Sequence, residues 1–329
     1  MATIKDVAKL AGVAVSTASY ALNDSSKISP DTKRKVLDAA VQLNYQKNGL
    51  ARDLKLNKTQ TIGLILSDLS GPFYSELIQG VQEVTLSNEY DLIACSSLGG
   101  HNSTAVKFLK EKRVDGVIVL AANIDDLIIL ESVREDFPIV VLDRELTAHS
   151  IINVSVDNVH GGYLATKHLL DAGHQDILFI GGPSNSRDNQ LRYQGFLNAL
   201  TDREVNYTPK WNLEGKFTRE GGYYAAKMIM MQGKLPSAIF CANDEMAIGA
   251  VRAFQESGLQ VPFDISVVGF DDIEIAQYMN PPLTTVKQPK YEMGSLAAHL
   301  IFQALKGDIP TREYVLPTEL VVRNSTISK

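Results

Sequence analysis

The sequence is poor in cysteine and has no long apolar segment. Its two cysteines, Cys95 and Cys241, lie in short apolar stretches that indicate reduced thiols in a core. This pattern excludes the disulfide framework of a small secreted protein. No apolar run reaches the roughly 18 residues of a membrane-spanning helix, and the opening MATIKDVAKL has no apolar signal-peptide core. We therefore expect a cytoplasmic protein without a membrane partner.

The short motifs of common catalytic sites are absent as well. The sequence contains no G-x-G-x-x-G, no P-loop, no H-E-x-x-H and no G-x-S-x-G. Its six histidines are scattered singly and are not grouped at the spacing of metal ligands. We expect no catalytic residue, no metal site and no cofactor, and we predict that the protein is not an enzyme.

Charge is distributed unevenly along the chain. The 329 residues carry a net charge of −6, yet residues 1–59 hold ten lysines and arginines against five aspartates and no glutamate. This amino-terminal segment is therefore +5 and the remainder is −11. A basic module attached to an acidic body is the asymmetry expected when one end of a protein meets DNA phosphates.

The basic segment has the pattern of a helix-turn-helix. The stretch IKDVAKLA supplies the apolar stripe of one helix, and Gly12 suits the tight turn that follows. Val15, Ala18 and Leu22 form the stripe of a second helix, and a basic third helix is predicted over Asp31–Leu43. Short polar side chains at the start of the second helix would reach base edges in a major groove.

From Thr61 onward, short apolar strands alternate with amphipathic helices, which is typical of parallel α/β sheets. This part is too long for one ordinary sheet, so we predict two lobes with a crossing near Val156–Asp157. The predicted parts are a headpiece (1–47), a hinge and linker (48–60), and an effector-binding and dimerisation domain (61–329) with an N-lobe (61–156 and 288–329) and a C-lobe (157–287).

Polar loops follow several of the predicted strands. They read SDLSGPFY, LDRE, GGPSNSRDNQ, CANDE and GFDD. Open α/β sheets bind ligands beyond the carboxyl ends of their strands. Because Asp, Asn and Arg satisfy hydroxyl groups as acceptors and donors, these loops favour a polyhydroxylated ligand between the two lobes.

Three segments resemble the LacI/GalR family of bacterial repressors: MATIKDVAKLAGV, LNYQKNGLARDLKLNKTQTIGLI and VVGFDD. The resemblance implies an all-α helix-turn-helix headpiece plus a hinge helix, followed by a two-lobed α/β domain with parallel sheets, like the periplasmic sugar-binding proteins. It also implies a sequence-specific repressor that binds a two-fold operator under the control of a small-molecule effector. The C-terminal leucine heptads of tetrameric relatives are absent, which favours a homodimer.

The resemblance assigns DNA contacts to the headpiece and the hinge. The hinge segment Gly49–Leu56 is expected to fold on operator DNA, with Leu54 as a wedge in the minor groove. Ala14 stands where the family usually has serine, and Tyr20 stands where arginine or histidine is common, so the operator sequence does not carry over. The expected DNA-binding residues are Thr3, Val15, Ser16, Thr17, Tyr20, Asn23, Ala51, Leu54 and Lys55.

The resemblance places the effector contacts on the polar loops that follow the strands. The expected contacts are Phe73, Tyr74, Asp143, Asp188, Arg192, Phe217, Asn243 and Asp271. A sugar or sugar phosphate is favoured, because positions around Ser186–Asp188 differ from those expected for a purine corepressor. The alternatives are a purine-dependent regulator and an exported sugar-binding protein. The headpiece and the missing signal peptide disfavour the exported protein.

Overall fold

The chain forms two compact units, Met1–Thr59 and Gln60–Lys329, in a computed structural model that describes residues 2–46, 58–207, 213–308 and 311–329. The predicted hinge segment Gly49–Leu56, with Ala51, Leu54 and Lys55, lies outside the described residues. No helix in the described ranges is both long and apolar enough to cross a membrane.

The first unit is a bundle of three short helices, α1 (Ile4–Ala11), α2 (Val15–Leu22) and α3 (Pro30–Gln42). Gly12 ends α1 in the left-handed conformation, with a φ of 65° that glycine adopts without a steric penalty. The Ser29 hydroxyl caps α3 by accepting from the Thr32 amide, and Pro30 takes the first helical position. The predicted helix-turn-helix is confirmed.

Small side chains fill the core of this unit. Its buried members are Val7, Ala8, Ala18, Ala21, Val36, Ala39 and Ala40. The prediction that Val15 belongs to the apolar stripe of α2 is wrong, since its side chain is 43% exposed. Val15 is the first residue of α2, and the inward face of that helix runs through Ala18 and Ala21.

The second unit contains two lobes, each a sheet covered by helices. The first lobe comprises β1 (Thr61–Leu66), α4 (Tyr74–Ser87), β2 (Asp91–Ser96), α5 (Thr104–Lys110), β3 (Gly116–Leu120), α6 (Asp126–Glu131), β4 (Ile139–Leu142), β5 (Ile151–Val156), α11 (Lys290–Leu305) and β10 (Glu313–Leu316). The second lobe comprises α7 (Asn158–Asp171), β6 (Ile177–Ile180), α8 (Arg187–Asp202), α9 (Arg219–Met230), β7 (Ala238–Cys241), α10 (Asp244–Glu256), β8 (Ser266–Asp271), β9 (Thr284–Lys287) and β11 (Glu319–Val321).

Both sheets are mainly parallel. The strand order is β10-β5-β4-β3-β1-β2 in the first sheet and β11-β9-β8-β7-β6 in the second, and the pairing of β11 with β9 is antiparallel. The central strands are buried along their length, as expected for strands that helices cover on both faces. The predicted two-lobed α/β architecture with parallel sheets is confirmed.

The carboxyl-terminal segment lies in the second lobe, so its predicted place in the N-lobe (288–329) is wrong for residues 319–329. The β11 strand pairs with β9, and the Val267 amide donates to the Ser325 carbonyl oxygen at 2.8 Å. Pro317 follows β10 and has no N–H to extend that ladder. The chain therefore crosses between the lobes a third time, after β10.

Helices α4 and α11 cross closely beside the first sheet. A Cβ atom on Gly80 would lie 2.2 Å from the Tyr291 carbonyl oxygen, and one on Gly294 would lie 2.2 Å from the Leu77 carbonyl oxygen. Both neighbours are backbone atoms, which cannot rotate away as a side chain can. These two glycines therefore set the separation of the helices.

The Gly80→Ala substitution should lower the free energy of unfolding by about 1–3 kcal/mol, because the added methyl group pushes α4 and α11 apart. At an unconstrained helical site the same change would stabilise by roughly 0.5–1 kcal/mol. Urea unfolding followed by circular dichroism measures the free energy of unfolding of the native chain and of Gly80→Ala. Gln79→Ala, on the exposed side of α4, is the control and should be nearly neutral. A Gly80→Ala protein as stable as the control would contradict the packing constraint.

Candidate functional site

The start of α2 presents an exposed and largely polar side. Val15 and Tyr20 are 43% and 47% exposed, Ser16 is exposed, and Thr17 is partly buried. Ala18 turns into the core. Val15, Ser16 and Tyr20, which are among the expected DNA contacts, therefore lie at the surface of one helix, where a partner can reach them.

Two other predicted DNA contacts lie at helix ends. The Thr3 amide donates to Asp6 Oδ2 at 2.8 Å, and the Asp6 amide donates to the Thr3 hydroxyl at 3.4 Å. These bonds form a capping box at the start of α1. Asn23 is the C-cap of α2. Both side chains remain exposed, so their structural roles leave them accessible.

The amino end of α2 has no side-chain cap. Ala14 occupies the N-cap position and offers no acceptor to the first amides of the helix. A serine there would typically add about 1 kcal/mol through a capping bond. Amides at a helix start also favour an anion such as a DNA phosphate.

Lys27 lies beside this surface and is not among the predicted contacts. Its Nζ atom is 5.9 Å from the centroid of the Tyr20 ring, within range of a cation–π contact. The loop between α2 and α3 brings Lys27 back to α2. Sequence spacing alone does not reveal this return.

The predicted effector residues surround one cleft of the second unit. In the first lobe they come from the start of α4 and the residue after β4. In the second lobe five come from α8, the loop before α9, the start of α10 and the end of β8. Their places follow carboxyl ends of parallel strands, where open α/β sheets bind ligands. The members are Phe73, Tyr74, Asp143, Asp188, Arg192, Phe217, Asn243 and Asp271.

A buried guanidinium group lies at the centre of the cleft. Arg192 is 4% exposed, and its Nε donates to Asn158 Oδ1 at 2.8 Å. Its Nη1 donates to the Ala242 carbonyl oxygen at 2.7 Å and lies 3.5 Å from Asp271 Oδ1. The guanidinium carbon is 3.9 Å from the Phe270 ring centroid. These contacts hold the guanidinium in one orientation.

Asp271 is held by two residues that sequence reasoning missed. Gln288 Nε2 donates to Asp271 Oδ1 at 2.6 Å, and Lys290 Nζ donates to the backbone carbonyl oxygens of Asp271 and Asp272 at 2.6 and 3.0 Å. Burial raises the pKa of Asp271 to about 6, while Arg192 and Lys290 act in the opposite direction. The available signal was the polar run QPK directly after the strand TTVK.

Three carboxyl groups share the surroundings of Arg192. Burial, and to a lesser extent the charge of nearby Asp188, raise the pKa of Asp143 to about 7, although Arg192 acts in the opposite direction. Asp143 Oδ1 accepts from the Val156 amide at 3.2 Å. Arg192 opposes the rise in the pKa of both Asp143 and Asp271, and the Lys290 ammonium also opposes it at Asp271.

Phe217 forms an apolar wall of the cleft. A Cβ atom on Gly182 would lie 2.3 Å from its ring, so glycine is what lets the ring pack there. Asn243 Nδ2 donates to the Phe217 carbonyl oxygen at 3.2 Å, and Asn243 Oδ1 accepts from the Met246 amide at 3.0 Å. Asn243 thus positions Phe217 and caps α10.

Phe73 and Tyr74 form the aromatic wall of the first lobe. Their ring centroids are 5.6 Å apart in an edge-to-face arrangement. Burial raises the pKa of Tyr74 to about 12, and the charge of Asp68 adds to the effect. The phenol therefore keeps its proton at neutral pH and can both donate and accept.

A cavity of about 230 Å³ borders Asp143, Asp188 and Asn158, and the other six predicted effector residues do not line it. Arg187 of the second lobe forms an ion pair with Glu145 of the first lobe at this cavity. A larger groove of about 710 Å³ lies on the second lobe, between residues 255–263, 280–281 and 323–327, and none of the predicted effector residues lines it. The candidate effector site is therefore the smaller cavity together with the adjoining group around Arg192, whose Nε donates to the cavity-lining Asn158.

The raised pKa of Asp143 makes the ligand-free protein lose stability as pH rises. Between the ordinary carboxyl value of about 4 and about 7, the folded protein holds a proton that the unfolded chain has released. We expect the melting temperature of Asp143→Asn, relative to that of the native chain, to increase across this window. Differential scanning fluorimetry at each pH measures it. Asp308→Asn, an exposed carboxyl change, should give a constant difference, and a constant difference for Asp143→Asn would contradict the prediction.

Comparisons with known proteins match both units. Residues 3–48 match the model described as bacterial regulatory proteins, lacI family, and residues 166–326 match that of a periplasmic binding protein-like domain. The chain is 39% identical to the HTH-type transcriptional repressor PurR of Histophilus somni over 99% of both chains. It is 37% identical to the ribose operon repressor of Haemophilus influenzae, over 100% of this chain and 99% of that one.

Solved structures of similar sequence share the fold. The lac repressor dimer bound to operator and the anti-inducer ONPF matches with a TM-score of 0.83 and 31% identity over 99% of both chains. A LacI family regulator from Enterococcus faecium with bound ribose matches with a TM-score of 0.75 and 28% identity over 82% of this chain and 99% of that one. The chain therefore belongs to the LacI family of bacterial regulatory proteins, and it is a transcriptional repressor with a helix-turn-helix DNA-binding headpiece.

Proposed function

We propose that a monosaccharide controls the affinity of this repressor for its operator, with D-ribose as the first candidate. The observation that carries the proposal is the grouping of Asp143, Asp188 and Asp271 around Arg192. The carboxyl groups offer oxygen acceptors to a ligand that is rich in hydroxyl donors, and the guanidinium offers N–H donors to its oxygens.

A sugar suits the cleft on its polar and apolar sides. Each hydroxyl can donate to a carboxylate and accept from the guanidinium, and a charged partner strengthens either bond. The Phe217 ring and the Phe73–Tyr74 pair offer surfaces for the C–H faces of a sugar ring. We propose direct effector contacts for all eight residues: Phe73, Tyr74, Asp143, Asp188, Arg192, Phe217, Asn243 and Asp271.

A purine base is the second candidate, because a relative at 39% identity carries the name PurR. A planar base could stack on the aromatic rings, but it has fewer donors than three carboxylates can accept. The relative named a ribose operon repressor and the family member solved with ribose support the sugar. We therefore rank the sugar first.

We propose that the headpiece reads DNA through the exposed surface of α2. The contacts would come from Thr3, Val15, Ser16, Thr17, Tyr20 and Asn23, together with Ala51, Leu54 and Lys55 of the hinge segment. The charge of +5 on residues 1–59 supports attraction to phosphates. Tyr20 cannot make the bidentate contact that arginine makes with guanine, so we expect an operator that differs from those of arginine-bearing relatives.

We propose a homodimer that acts in the bacterial cytoplasm and has no enzymatic activity. A two-fold operator requires two headpieces, and a solved relative is described as a repressor dimer bound to operator. The chromosome lies in the cytoplasm, so a repressor acts there. The relatives at 37–39% identity are named as repressors, which supports binding without turnover.

Asp271→Asn should abolish most of the effector affinity and leave DNA binding of the ligand-free protein intact. Losing a charged acceptor should weaken D-ribose binding by roughly tenfold or more, equivalent to about 1.5–3 kcal/mol. Isothermal titration with D-ribose, and separately with hypoxanthine, measures binding by the native chain, Asp271→Asn and the exposed control Asp308→Asn. Binding of hypoxanthine but not ribose by the native chain would overturn the sugar assignment. Equal ribose affinity of the native chain and Asp271→Asn would remove Asp271 from the site.

Tyr20→Ala should weaken operator binding by about 1–3 kcal/mol, the typical cost of losing a base contact. Binding to a random duplex should stay unchanged, because phosphate contacts do not depend on Tyr20. Fluorescence anisotropy with a duplex selected from a randomised pool, compared with a scrambled duplex, measures both affinities. Val41→Ala, which removes an 82% exposed side chain from α3, is the control. Equal losses on both duplexes would rule out base reading by Tyr20.

A further inference from the structure

Lys290 is a buried charged residue at a junction between the two lobes. Its side chain is 1% exposed, and it begins α11 directly after the chain leaves β9 of the second sheet. Burying an ammonium group is strongly unfavourable unless acceptors surround it. The acceptors that Lys290 contacts therefore indicate what its charge does in this position.

The Lys290 ammonium contacts both lobes at once. It donates to the carbonyl oxygens of Asp271 and Asp272, at the end of β8 in the second lobe, at 2.6 and 3.0 Å. In the first lobe its Nζ lies 3.4 Å from Oε1 of Glu76, in the first turn of α4. Three acceptors from two lobes match the three N–H groups of a lysine.

The second-lobe end of this link is a strained turn. Asp271 and Asp272 have φ values of 113° and 51°, in the region that non-glycine residues rarely occupy. Such a conformation persists only where surrounding contacts hold it. The two bonds from Lys290 to the carbonyl oxygens of this turn are such contacts, and the Asp271 carboxyl beside Arg192 depends on the turn for its direction.

The first-lobe end of the link lies at the aromatic wall. Glu76 follows Phe73 and Tyr74 by one helical turn or less, at the start of the same helix. Lys290 therefore joins the helix start that carries the aromatic pair to the turn that carries Asp271. A shift at either wall of the cleft alters the geometry of the same ammonium group.

We propose that Lys290 is a positioning residue that couples effector occupancy to the arrangement of the two lobes. This inference rests on the proposed effector site at Asp271. A ligand that draws on Asp271 changes the bonds that hold the turn, and the Lys290–Glu76 contact passes the change to α4. Differential contacts of this kind are what allows a ligand to shift a two-state arrangement.

Hydrogen exchange on the ligand-free protein tests the link without any effector. Glu76→Gln removes a charge from the first lobe and should speed exchange of the Ile273 amide in the second lobe by at least about threefold. That amide donates to Asp244 Oδ2 at 2.9 Å, so its protection reports on the turn. Glu83→Gln is the matched control, because Glu83 lies on α4 and contacts Tyr291 of α11. Unchanged Ile273 exchange in Glu76→Gln would overturn the proposal, whatever the effector is.

A second measurement separates coupling from binding. Operator affinity is measured by anisotropy with and without saturating D-ribose, and ribose affinity by titration. Glu76→Gln and Lys290→Met should reduce the ribose-induced change in operator affinity by about fivefold or more, whereas Lys306→Met, at the exposed end of α11, should not. If both variants bind ribose with normal affinity and still show the same ribose-induced change in operator affinity as the native chain, the coupling role is refuted. If the native chain shows no response to ribose, the sugar proposal fails, and the exchange result decides the role of Lys290 by itself.

Discussion

The buried ion pair between Arg192 and Asp271 is the constraint on which the rest of the cleft depends. Removing two charges from water costs several kcal/mol per ion, and their attraction offsets this only when other hydrogen bonds satisfy both groups. Asn158 and the Ala242 carbonyl oxygen satisfy the guanidinium, and Gln288 satisfies the carboxylate. The geometry of the cleft therefore requires α7, β7, β8 and the segment after β9, which carries Gln288, to be in place together.

Without a ligand, the buried carboxyl groups of the cleft lower the free energy of unfolding of the protein. Burial raises the pKa values of Asp143 and Asp271, which means that the folded protein disfavours their charged forms near neutral pH. A ligand that donates to these carboxyl groups would recover part of the lost free energy, and ligand binding would then stabilise the fold. Functional sites commonly depart from the packing rules that the remaining core obeys.

The headpiece is stabilised in a different way, because its core is small and built largely from alanine. The caps at Thr3 and Ser29 and the turn at Gly12 contribute much of its definition. Ala14 lacks such a cap at the one helix whose start must stay open to a partner. The surface of α2 combines family-like positions with an unusual aromatic residue, Tyr20, beside Lys27. The proposed DNA contacts on α2 are thus side chains that contribute little to folding.

The sequence by itself determined the helix-turn-helix and the predicted strands of the body, because caps and apolar periodicity are local signals. Its polar post-strand loops also supplied the eight residues of the proposed effector site. Only the tertiary structure decided the pairing of β11 with β9, the exposure of Val15, and the contacts of Gln288 and Lys290 with Asp271. These features depend on which distant segments meet. Short edge strands such as β10 and β11 have four and three residues of mixed polarity, so a local period does not identify them. The local pattern therefore predicts the elements, while long-range packing selects the partners of each buried charge.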